Sequence, residues 1–160
     1  MNPVELVTAF LNTARSGDRL ATRDGLADWA SEAGVISPGA WIDVPAVERA
    51  QSLREGLRRL VQDGVPQALD AELERLPLAA LADEHGTVRL IAARPGADEI
   101  GAAVVEAVIA AQTDATWSRV KVCPGCGTAF ADASRNRSRR WCDMGTCGSR
   151  AKMRAYRARN

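Results

Sequence analysis

No cysteine precedes Cys123 in this 160-residue chain, and His85 is its single histidine. A disulfide framework usually spreads its cysteines to staple distant parts of a chain, so that architecture is excluded for the first three quarters of the sequence. One histidine, no paired nucleophile and base, and no glycine-rich phosphate loop leave nothing from which to build an active site, and no enzyme is expected. No run of about 18 apolar residues occurs, which excludes a membrane-spanning helix. The opening Met1-Asn2-Pro3-Val4-Glu5 lacks the basic and apolar regions of a secretory signal, so a cytoplasmic protein is the expectation. Acidic residues are scarce at the other end, where only Asp132 and Asp143 fall after Ser118.

The net charge of +1 conceals this asymmetry. Residues 1–118 carry 10 Lys/Arg against 18 Asp/Glu, a net of −8, whereas residues 119–160 carry 11 Lys/Arg against 2 Asp, a net of +9. A basic tail on an acidic body points to a polyanionic partner or to docking of one part on the other.

The body reads as helices. Asn2 and Pro3 open the first, over Pro3 to Ala14, with Val4, Val7, Phe10, Leu11 and Ala14 on one side. Thr22 caps a second from Arg23 to Ala33, ended by Gly34. Pro45 opens a long third helix that runs to Gly64, where Val47, Ala50, Leu53, Leu57, Leu60 and Val61 recur at three and four residues. Arg54, Arg58 and Arg59 lie off that stripe and read as a solvated face. A short helix over Pro66 to Arg75 precedes a hairpin, Leu78 to Asp83 and Thr87 to Ala93, turning at Glu84-His85-Gly86 and ending at Arg94-Pro95-Gly96-Ala97. His85 reads as a solvated turn residue. Asp98 caps a last long helix with Ile100, Val104, Ala107, Val108 and Ala111 facing inward.

The four cysteines follow as Cys123-x2-Cys126 and Cys142-x4-Cys147. Pro124 and Gly125 make a tight turn from which both thiolates of the first pair face one ion. Zn2+ has no geometric preference of its own and accepts a tetrahedron of four sulfurs, so one structural ion is expected, with no open position for zinc catalysis. A redox Cys-x-x-Cys is the rival reading, although such motifs do not come with a second pair, and an iron–sulfur cluster is also open to four thiolates. With Val122, Phe130, Trp141, Met144 and Met153 as nearly its whole apolar inventory, this segment needs a metal to fold, and chelation is expected to unfold it while the first domain stands. Trp117 and Trp141 are expected to pack, not to stack on bases.

Basic residues surround the cysteines. Arg135, Arg137 and Arg139 alternate and would share a face of an extended strand, with Asn136 and Arg140 beside them. A closing helix carries Arg150, Arg154 and Arg157 on one side, together with Lys152, while Met153 packs on the metal module. Guanidinium groups pair with phosphate, so nucleic acid is the expected partner: mostly phosphate contacts, with Asn136 and Ser149 as candidates for base edges.

From Trp117-Ser118-Arg119 through Cys123, Cys126, Phe130, Asp132, Ser134-Arg135-Asn136, Ser138-Arg139-Arg140-Trp141-Cys142, Met144 and Cys147-Gly148-Ser149-Arg150 to Lys152, the tail resembles the CGNR zinc-finger family. Phe10-Leu11-Asn12-Thr13, Asp18-Arg19-Leu20-Ala21-Thr22 and Asp24-Gly25-Leu26-Ala27-Asp28-Trp29 resemble the ABATE-type domain that precedes this finger. The resemblance implies a bacterial stress-induced transcription regulator whose finger binds DNA. Ser149 stands where the family name has asparagine, and serine there is expected to cap the final helix. Ala9 stands where the family commonly has an acid.

Together these readings give an α+β protein: a mainly helical N-terminal domain with one β-hairpin over 1–116, and a zinc-binding module over 117–160 with a treble-clef-like hairpin and helix. The expected partner is double-stranded DNA, with RNA or the ribosome as the alternative and no membrane. A homodimer through the third or last long helix and a small-molecule effector on the N-terminal domain are further expectations.

Overall fold

The computed structural model describes residues 1–93 and 98–159; the expected hairpin end, Arg94-Pro95-Gly96-Ala97, lies outside them. Helix α1 spans Pro3–Leu11 and opens on a capping box, in which the Glu5 amide donates to Asn2 Oδ1 (2.9 Å) and the Asn2 amide donates to Glu5 Oε2 (3.0 Å). The chain then tightens into a 3-10 turn, Asn12–Ala14, where the Thr13 hydroxyl donates back to the Phe10 carbonyl (2.7 Å). The α-helix thus ends three residues earlier than the apolar pattern suggests, and Asn12 is released toward the other end of the molecule.

Helix α2, Arg23–Glu32, is capped by Thr22. Helix α3, Val44–Asp63, is capped by Asp43, which accepts from the Ala46 amide (2.7 Å), and is closed by Gly64 at φ +66°. Helix α4, Gln67–Leu73, crosses α3 so closely that a Cβ on Gly56 would sit 2.9 Å from the Ala68 carbonyl oxygen. Strands β1 (Leu78–Ala82) and β2 (Val88–Ala92) form the antiparallel hairpin, with Leu78 opposite Ala92 and Ala82 opposite Val88. Helix α5, Glu99–Thr113, follows.

The core lies between α1, α3 and α5. Val7, Phe10, Leu11, Leu26, Leu53, Leu57, Ile100 and Val104 are at its centre, and Phe10 meets Trp29 at 5.3 Å between ring centroids. The inward stripe of α5 is buried at all five expected positions, as are Val47, Ala50, Leu53 and Leu57 of α3. Leu60 and Val61, the last two positions of the α3 stripe, are half-buried.

Two expectations need correction. Asp98 stands at the N-cap position of α5, but its side chain makes no cap bond; it is buried and paired with Arg49 (Oδ1 to Nε, 2.9 Å), beside a cavity of about 20 Å³ that has room for a single water. The arginines of α3 do not form one solvated face. Arg59 pairs with Glu55 at the surface, but Arg54 clasps both oxygens of Asp18 (2.6 and 2.7 Å), and Arg58 turns toward the C-terminal module. Among the described residues no helix is long and apolar enough to cross a membrane.

Candidate metal centre

Strand β3 (Val120–Val122) pairs antiparallel with β4 (Ala129–Ala131), and the loop between them carries the first cysteine pair. The Cys123 amide donates to the Thr128 carbonyl and the Gly127 amide to the Cys123 carbonyl, both at 2.8 Å. Gly127 closes this knuckle at φ +73°, a conformation that disfavours any side chain. The second pair brackets a helix start. Asp143 accepts from the Thr146 amide (2.7 Å) and the Thr146 hydroxyl (2.8 Å), capping a π-helical turn, Met144–Gly148, that leads directly into α6, Ser149–Arg157. Ser149 is consequently inside the helical run, where its hydroxyl donates to the Met144 carbonyl (3.1 Å); the cap expected of it belongs to Asp143.

The four sulfurs lie within 4.8 Å of one another, with Cys126 to Cys142 at 3.4 Å and Cys142 to Cys147 at 3.9 Å, and all four are free thiols. A tetrahedron with metal–sulfur bonds of about 2.3 Å has edges of about 3.8 Å, so these spacings fit one ion. The donor chemistry fits as well. Thr128 lowers Cys126 to about 6, while burial and the neighbouring sulfurs push Cys142 up to about 12. Sulfurs this crowded do not all ionise by themselves, and a shared dication removes the obstacle. Trp141 packs over the knuckle and the helix start: a Cβ on Gly125 would meet its ring at 3.2 Å and one on Gly148 at 3.4 Å. Both it and Trp117 pack in the structure, as expected.

The loop between the cysteine pairs is a turn over 134–137, not a strand, with Arg137 at φ +52°, so Arg135, Arg137 and Arg139 do not share a face. Its organiser is Asp132, which is fully buried. Asp132 accepts from Lys121 Nζ (2.6 Å), the Ser134 hydroxyl (2.6 Å) and the amides of Ser134 and Arg139 (both 2.9 Å). Burial alone would raise its pKa; the Lys121 and Ser134 hydrogen bonds outweigh that and hold the carboxyl well below the usual carboxylate range. The sequence signal for this role is Asp132-x-Ser134, which favours a side-chain-capped turn.

One of the expected contact residues, Arg139, is spent inside this scaffold. Arg139 donates from Nε to the Trp141 carbonyl (2.9 Å) and from Nη2 to the Cys142 carbonyl, with its guanidinium 5.5 Å from the Phe130 ring centroid. Arg137 is exposed and donates to the Ser118 hydroxyl (2.8 Å). Arg135, Asn136, Arg140, Ser149, Arg150, Lys152, Arg154 and Arg157 are exposed, and Arg140 lies 5.5 Å from the Trp141 ring centroid. No residue of α6 is buried, and Met153, expected to pack on the metal module, is 54% exposed.

The module is bolted to the helical domain at its knuckle. The Asn12 side-chain amide donates to the Ala129 carbonyl and accepts from the Ala129 amide, both at 2.9 Å. Arg58 donates to the Gly127 carbonyl (2.9 Å) and the Leu11 carbonyl (2.5 Å), and Arg15 donates to the Cys126 carbonyl (3.0 Å). Val120 and Ala129 belong to the main core. Nothing in the spacing of Asn12, Arg15 or Arg58 marks them for this role.

A mainly helical α+β body joined to a four-cysteine knuckle and helix defines a metal-binding protein of the zinc-finger class. The chain belongs to the ABATE family, whose model, described as "Putative stress-induced transcription regulator", matches residues 5–119. The CGNR zinc finger model matches residues 119–160. No curated protein matches the chain.

Proposed function

We propose that the chain is a zinc-dependent transcription regulator that binds double-stranded DNA through residues 117–160, with residues 1–116 as the regulatory body. The carrying observation is the meeting of four sulfurs within 4.8 Å directly beside an exposed set of cations. Cys123, Cys126, Cys142 and Cys147 hold one Zn2+, which supplies cohesion and no reaction. Arg135, Arg137 and Arg140 on the loop and Arg150, Lys152, Arg154 and Arg157 on α6 are exposed and bind phosphates. Arg139 acts from within, as the strut between Phe130 and the second cysteine pair. Asn136 and Ser149, both exposed, are the side chains offered to base edges. The family descriptions support the regulator reading, and the tail's net charge of +9, nearer +7 with a tetrathiolate zinc, supports a polyanion.

Fluorescence anisotropy of a labelled duplex, titrated with the metal-loaded protein over a salt series, tests this. Neutralising about five phosphates gives a log–log slope of about −4 to −5. A flat salt response would remove nucleic acid from the account. Preference for structured RNA over duplex at equal salt would move it to an RNA- or ribosome-associated role.

A further inference from the structure

Helix α6 leaves nearly all of its surface in solvent. Ala151 alone is half-buried and marks the side turned to the metal module. At about 100° per residue, Ser149, Met153 and Tyr156 each project about 140–160° away from Ala151. They recur at i, i+4 and i+7 and so make one outward face. Met153 is 54% and Tyr156 61% exposed, so the outermost face of the helix carries its largest apolar groups. Cations border that face on both sides. Arg150, Arg154 and Arg157 each follow a face residue by one position, about 100° to one side. Lys152 precedes Met153 by one position, on the other side, and Arg159 stands in the turn that closes the helix. No acidic residue occurs in α6.

An apolar strip between two cationic borders is complementary to a duplex groove, where base edges lie between two rows of phosphates. A helix about 10–12 Å across fits a major groove about 12 Å wide. A purely phosphate-binding helix would have no use for Met153 and Tyr156 at its outermost line. In the major groove the thymine C5 methyl gives them an apolar partner. We propose that α6 lies in the major groove with Ser149, Met153 and Tyr156 toward the base edges, Arg150, Arg154 and Arg157 on one phosphate row and Lys152 on the other. This inference rests on the duplex reading above and names how that site reads sequence. Met153 and Tyr156 take thymine methyls. The Ser149 hydroxyl donates to the Met144 carbonyl (3.1 Å), so it meets the groove as an acceptor, suited to the amino group of adenine or cytosine. From Ser149 to Tyr156 the helix rises about 10 Å, or about three base steps of 3.4 Å, so one finger reads about three to four base pairs. Arg140 stands at the start of the same helix: it lies 5.5 Å from the Trp141 ring centroid, and that ring packs on Gly148.

Selection from a randomised duplex library with the full-length, metal-loaded protein tests this, followed by anisotropy on the selected duplex. The selected duplexes should share a thymine-containing motif. Replacing its thymines by deoxyuridine removes only the methyl groups and should weaken binding about tenfold. Met153→Ala/Tyr156→Ala should bind both duplexes alike, with the salt slope and melting temperature of the wild type, because neither side chain is buried. Met153→Leu/Tyr156→Phe keeps the apolar bulk and should retain the preference for thymine. Duplex binding with no shared motif, equal binding of the thymine and deoxyuridine duplexes by the wild type, or an alanine variant that keeps the preference overturns this inference and leaves the phosphate grip standing. A wild type that binds no duplex, or that moves from duplex to phosphatidylserine vesicles at equal phosphate, overturns both.

Discussion

At the scale of single residues, the polar groups that organise the molecule are those that find distant partners. Asn12 satisfies both backbone groups of Ala129 from across the chain, so Asn12→Ala orphans two half-buried polar groups and should cost about 1–3 kcal/mol. Urea denaturation measures this, and an unchanged midpoint would contradict the role. Asp18 reports through pH. Its pKa is lowered, chiefly by the hydrogen bond from Arg54. A depressed folded pKa gives stability that is present above the unfolded value of about 4 and is lost as pH falls through the folded one. Asp18→Asn should therefore be less stable than the wild type at pH 7, by about 1 kcal/mol or less because the carboxyl is partly exposed and screened. The gap should close as acid is added, and thermal melts across the acid range would show it. A gap that widened in acid would invert the assignment.

At the scale of elements, the knuckle and α6 differ in what they contribute. The knuckle shares Val120 and Ala129 with the main core and is gripped by Asn12, Arg15 and Arg58. Metal removal, which withdraws on the order of 10 kcal/mol from the module, should therefore also lower the melting temperature of the helical body, in place of the independence expected from composition. Hydrogen exchange in α1 and α3 before and after chelation checks it; protection unchanged in both helices would restore the independent-domain picture. Helix α6 buries nothing, so the triple variant Arg150→Ala/Arg154→Ala/Arg157→Ala should melt as the wild type does, yet bind duplex with a salt slope shallower by about 2 to 3. What the sequence shows well is local. Asn2, Thr22 and Gly64 mark helix ends through their own backbone chemistry, the stripes of α3 and α5 repeat at helical spacing, and Cys-x2-Cys with Cys-x4-Cys converges because a single ion demands it. What it hides is pairing at a distance. Nothing local distinguishes Arg58, which binds the knuckle, from Arg59, which lies in solvent, and Asp98 looks like a helix cap until Arg49 draws it inward. The arginine loop misleads for the same reason: alternation suggests a strand, but a buried Asp132 gathers Lys121, Ser134 and Arg139 and folds the segment into a turn.

At the scale of the whole molecule, charge is partitioned by chain half while packing is continuous. The acidic body, net −8, and the basic tail, net +9, share one core, so the body's field is fixed relative to the cations of the finger. That arrangement disfavours approach of a polyanion from the body's side and leaves the loop and α6 as the accessible face. All of it depends on the four sulfurs meeting around one ion. Zinc-edge X-ray absorption on the purified protein, with metal content measured on the same sample, tests this most directly. The account predicts one zinc per chain with four sulfur ligands at about 2.3 Å. Nitrogen or oxygen in the first coordination shell, or well under one metal per chain in a folded tail, would contradict it.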